Sequence, residues 1–166
     1  MGLYTHLMEN IFSLGELPLH PLFVHLPVIA VPVAALMTLV LALVPQWAPR
    51  WVVPAFIVST LGTLGAGLAK MSGEALAEAK NLSEHAAPLA EHAQYGDLAV
   101  VASILLTGLL LIWAVAVHKP QLHSLLTSPK LLLALRVLLT LAALAALVTV
   151  VLAGHEGAVL VWIKEA

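Results

Sequence analysis

Eight histidines, in a chain of 166 residues with no cysteine, are the groups best able to do chemistry here. An imidazole ligates metals, relays protons and titrates near neutrality. The lack of cysteine excludes disulfides, cysteine-ligated iron–sulfur clusters, covalently attached c-type haem and thiol nucleophiles. No HExxH pair and no nucleophile motif points to hydrolysis. What remains is binding chemistry by histidine, with carboxylate, Met or backbone oxygen as the other candidate metal ligands. The spacing then matters. His20 and His25 lie five residues apart around Pro21, whereas His92 and His155 stand far away in the chain. Only a fold that brings distant segments to one level can make a site of them.

The elements that must do so are membrane spans. Hydrophobic residues make up 61% of the chain and charged residues 10%, against about 25% charged in an average soluble domain. Four apolar stretches, Leu22–Val44, Trp51–Ala69, Leu98–Val117 and Leu131–Ala153, each reach the length of about 20 residues that a helix needs to cross a bilayer. They are rich in Leu, Ala and Val without strand-like alternation, so helices are expected rather than a barrel. Met1 to His20 holds no basic residue, so the first span is expected to be retained rather than cleaved as a signal peptide. The predicted fold is an all-α integral membrane four-helix bundle, one domain over 1–166. An amphipathic extracytoplasmic connection, Lys70–Asp97, joins its second and third helices. The other connections are a proline-rich turn, Pro45–Arg50, and a basic loop, His118–Lys130. No internal repeat is evident.

Charge sets the expected orientation. Arg50, Lys119, Lys130 and Arg136 lie on one side with no acid, while all nine acids and only three lysines lie on the other. An excess of Lys and Arg marks the cytoplasmic side. Both termini and the long acidic connection are therefore predicted to face outward from a bacterial inner membrane. On this topology the start of the first helix, the start of the third and the end of the fourth share one level, so His20, His25, His92 and His155 can converge there. His25 lies inside an apolar span, where an ionisable group usually faces the bundle interior, and Pro27 and Pro32 could kink the helix to aim it inward. His85 would share a face with His92 but for Pro88. The second helix carries Gly62, Gly65 and Gly67 among serines and threonines, which allows close packing. Gly154 and Gly157 bracket His155-Glu156 and either end the helix or admit a close neighbour.

The segment His20-Pro21-Leu22-Phe23-Val24-His25-Leu26-Pro27, the small-residue second helix, a histidine opening the third and Gly154-His155-Glu156-Gly157 closing the fourth together resemble a bacterial family of small four-helix membrane domains of unknown function. That family is marked by HPxxVHxP near the start and a GHxGG-like motif near the end. The resemblance spans roughly Leu17 to Val161. This chain departs from it at Ala158, which stands for the second glycine of the terminal pair, and Glu156 fills the variable place. The resemblance places the family's histidines on His20, His25, His92 and His155. Some members carry an appended Rieske or cytochrome domain, which implies redox work.

Two functional readings follow. In the first, two of these imidazoles hold a b-type haem from facing helices, His25 with His92 or His155 being the expected pair, and the protein passes electrons between a quinol or membrane oxidoreductase and an outer acceptor. Lys70 or Lys164 would face the propionates. In the second, several of His20, His25, His92 and His155, with Glu156, Glu91 or Asp97 completing the site, bind copper or zinc directly. A third reading has no chemistry: a structural subunit of a larger membrane complex. An electron-transfer or metal-binding protein is thus favoured over a stand-alone enzyme. The expected partners are the lipid bilayer and further copies of the chain. The net charge of −2 offers no basic stripe for nucleic acid.

Overall fold

The computed structural model describes residues 12–15, 17–82, 89–119 and 128–162. A small hairpin, β1 (Ser13–Leu14) and β2 (Leu17–Pro18), turns at Gly15 with φ +63°. It leads into α1 (His20–Phe23) and α2 (His25–Leu43), which together make the first span. A 3₁₀ turn over Pro45–Trp47 connects to α3 (Ala48–Ala79), followed by α4 (Leu89–His118) and α5 (Pro129–Trp162). All four spans are long and apolar enough to cross a membrane.

Each of α3, α4 and α5 outruns the apolar stretch that announces it. The expected surface connection between the second and third helices is mostly continuous helix. Lys70–Ala79 prolongs α3, and α4 already starts at Leu89. The reason is composition: Ala, Glu, Lys and Leu propagate a helix as well in water as in lipid. At Asn81 a φ of 52° ends α3, with Leu82 N–H bonded to the Ala77 carbonyl and Asn81 N–H to that of Glu78. The break at Val24 between α1 and α2 has a different cause. Pro27 cannot donate to the Phe23 carbonyl, so the ladder is interrupted there.

The helices run up and down around a square, with α2 packing on α3 and α5, and α4 likewise on α3 and α5. The buried faces are rich in small residues, among them Ala34, Ala35, Ala55, Ala102, Ala143 and Ala146, with Leu41, Leu106, Leu110, Trp113 and Leu139 filling the space between them, while Leu36, Ile57, Leu105 and Val148 point outward. The small residues let backbones approach, because lipid tails are as apolar as leucine and close packing favours association. Between α3 and α4, Ser59 and Thr63 each bond the Thr107 hydroxyl (2.7 and 2.8 Å), and Thr63 donates to the Ser103 carbonyl (3.1 Å). The Ser103 hydroxyl is buried without a partner among the described residues. Ser103→Ala is therefore expected to leave thermal stability in detergent unchanged or slightly raised, since it removes an unsatisfied group.

Arg136 lies half-buried in the first turns of α5 and donates from Nε to the Ala42 carbonyl at the end of α2 (2.6 Å). A cation there satisfies a carbonyl left without an intrahelical partner and complements the helix dipole. Arg136→Met should cost about 1–3 kcal/mol in reversible unfolding, the range for orphaning a buried group.

The two halves of the bundle carry the same burial register. The shift that takes His20 to His92 also takes buried Ala30, Val31, Ala34, Thr38, Leu41 and Ala42 of α2 onto buried Ala102, Ser103, Leu106, Leu110, Trp113 and Ala114 of α4. The shift that takes Ala69 to Ala153 takes Ala55, Ser59, Gly62 and Ala66 onto Leu139, Ala143, Ala146 and Val150. Two similar hairpins, α1–α2–α3 and α4–α5, thus run in the same sense about an axis along the membrane normal, an arrangement known for parallel repeats. The repeat escapes a reading of the chain alone.

Candidate functional site

At the end of the bundle where α1 and α4 begin, two imidazoles meet across the diagonal of the square. The rings of His20 and His92 stand 6.2 Å apart, centroid to centroid, and nearly perpendicular at 85°. Each is held by the helix beside it. His20 donates from Nδ1 to the Ala69 carbonyl of α3 (2.9 Å), with the Ser72 hydroxyl 3.2 Å from the same nitrogen and itself donating to Ala69. His92 donates from Nδ1 to the Ala153 carbonyl of α5 (2.9 Å). A carbonyl can only accept, so both rings donate from Nδ1, and Nε2 is the nitrogen each has left to offer a ligand.

Glycine makes the room. A Cβ on Gly73 would lie 3.0 Å from Cε1 of His20, and one on Gly157 would lie 3.0 Å from Cε1 of His92. Each ring therefore rests on bare helix backbone four residues beyond its carbonyl acceptor, the same construction in both hairpins. Ala69 to Gly73 and Ala153 to Gly157 are equivalent segments. Gly157 thus admits a close neighbour and does not end its helix, since α5 continues to Trp162.

The other candidates lie elsewhere. His25 is exposed and turns its Nδ1 back to the Pro21 carbonyl (2.6 Å), a bond within its own span. The expected inward aim is not found: the proline break lets the side chain satisfy a carbonyl on the outer face instead. His155 is exposed and Glu156 half-buried. The expected pairing of His25 with His92 or His155 is not the one the helices bring together. Among the described residues no group of three or more His, Asp or Glu lies close enough to hold a metal ion. Lys70, expected near propionates, is engaged by Glu74 (2.6 Å) and Asp97. His6, His85, His123 and Lys164 lie outside the described residues.

Two imidazoles are short of the four donors of a tetrahedral zinc site, but they suffice for a cofactor that brings its own equatorial ligands. Fixing Nδ1 on a carbonyl is also how ligating histidines are usually oriented. Gly73 and the carbonyls of Ala69 and Ala153 are not among the expected site groups; the feature of the chain that points to them is the recurrence of Leu-Ala-x-x-x-Gly at Leu68–Gly73 and Leu152–Gly157.

No match to the chain is found among curated proteins or among solved structures. A family model does match, over residues 16–166, and its description is "Predicted membrane protein (DUF2231)". The resemblance read from the HPxxVHxP segment and the closing Gly-His-Glu-Gly is thereby met, and the chain belongs to this family of membrane proteins.

Proposed function

We propose that His20 and His92 would hold a b-type haem and that the protein carries electrons at the outer face of a bacterial inner membrane, exchanging them with a quinol or a membrane oxidoreductase. The observation that carries this reading is the paired geometry: perpendicular rings with centroids 6.2 Å apart, each locked through Nδ1. A b-type haem held by two imidazoles would supply one-electron transfer.

The chain's own groups do the rest. Ala69 and Ala153 hold the tautomer, Gly73 and Gly157 let the rings approach the backbone, and the diagonal placement ties the pair to all four spans. The excess of basic residues at the opposite end, Arg50, Lys119, Lys130 and Arg136, supports the outward assignment of the pair. Direct copper or zinc binding has less support, because only two imidazoles converge among the described residues.

The test is spectroscopic. Protein purified in mild detergent from cells supplied with haem precursor is expected to show a Soret band, sharp bands on dithionite reduction and near-stoichiometric iron. Purified protein with no Soret band, and no uptake of added hemin, refutes the haem reading.

A further inference from the structure

The two hairpins are alike, but the seams between them are not. Across the α3–α4 seam Lys70 reaches Asp97, and it also pairs with Glu74 on its own helix at 2.6 Å. The repeat register puts His25 in the place of Asp97 and Gly154 in the place of Lys70. The α2–α5 seam, which is the same seam after half a turn about the axis, therefore has an imidazole and a bare backbone where its counterpart has an ion pair. Among the described residues nothing lies within 4 Å of a Cβ built on Gly154. His25 is exposed, and its Nδ1 is held by the Pro21 carbonyl. Val151, one turn before Gly154 on α5, is exposed and apolar.

We propose that the α2–α5 seam, between His25 and Gly154, is the opening through which a ligand reaches the His20–His92 pair from the membrane, while Lys70 straps the opposite seam shut. This rests on reading the pair as a ligand site and adds the route and the ligand's chemistry. The fitting ligand is a flat, largely apolar molecule that partitions into lipid and is held through the imidazole nitrogens that the Ala69 and Ala153 carbonyls leave free. An ammonium strap would oppose such entry on the α3–α4 side, where displacing Lys70 exposes two carboxylates.

The test uses the full chain and no haem. In this cysteine-free protein, His92→Cys places one thiol at the pair, and its rate of modification by a methanethiosulfonate reagent in detergent reads access. Adding His25→Asp with Gly154→Lys transplants the strap to the α2–α5 seam, and Gly154→Leu plugs the same seam without charge. Both are expected to slow labelling several-fold, whereas Lys70→Ala should leave the rate unchanged or raise it. Circular dichroism identifies any variant that loses helix, and His20→Cys serves as a second reporter. Labelling that neither closing variant slows overturns the proposal. Labelling that depends on Lys70 alone assigns the route to the other seam and also overturns it. Because the probe is the thiol reagent, a failure to bind haem leaves this result standing and refutes only the haem reading.

Discussion

His20→Ala and His92→Ala are each expected to abolish stable haem binding, while His25→Ala and His155→Ala retain it. The asymmetry follows from placement. The first two rings meet across the bundle, whereas His25 bonds its own helix and His155 is exposed. Losing an outer partner of a metal-bound histidine typically costs about 10–100-fold in affinity, and losing the ligand itself should exceed that. The check is the Soret absorbance per protein after gel filtration, with helix content measured on the same samples. Haem retained in both His20→Ala and His92→Ala would remove the pair from the account, and haem lost only in His25→Ala would restore the pairing expected from the chain.

The second large effect concerns the helices that carry the site. A Cβ on Gly62 would stand 2.8 Å from Cγ2 of Val31, 3.1 Å from its backbone nitrogen and 3.3 Å from the carbonyl carbon of Ala30. Two of the three obstacles are backbone, so α2 and α3 must move apart to admit it. Gly62→Ala is expected to cost about 1–3 kcal/mol, the usual range for overpacking, and Gly62→Leu to prevent assembly of the native bundle. Gly67 and Gly108 are the controls, since among the described residues nothing lies within 4 Å of a Cβ at either. Alanine there should be neutral or gain up to about 1 kcal/mol from helix propensity. Unfolding by a denaturing detergent, followed by circular dichroism, separates the cases. Equal midpoints for Gly62→Ala and Gly67→Ala would contradict the close approach.

The architecture was legible because hydropathy and helix length are local quantities: Leu22–Val44 and Leu131–Ala153 announce their spans by composition alone. Helix ends were less so. Strong helix formers past the membrane boundary, such as Ala75, Ala77 and Ala79, continue α3 without an apolar signal. The level of the candidate site was legible from topology, since His20, His92 and His155 must share one end of an up-and-down bundle. Which of them touch was not. That depends on the rotation of each helix about its axis, and His25, five residues from His20, falls on a different face. The repeat was hidden for a physical reason as well. The connection from Leu43 to Ala48 is a tight turn, whereas that from His118 to Pro129 is longer, so the two helices of a hairpin match at different shifts. Few identities mark either match, His20 with His92 and Leu68-Ala69 with Leu152-Ala153 among them, and burial rather than identity reveals the register.

The most direct measurement of the central claim is electron paramagnetic resonance of the ferric protein at low temperature. If His20 and His92 hold the haem with their rings kept at 85° to each other, a strongly anisotropic low-spin signal is expected, and it should vanish in His20→Ala and in His92→Ala. A high-spin ferric spectrum, or a low-spin signal unaffected by either substitution, would contradict the account.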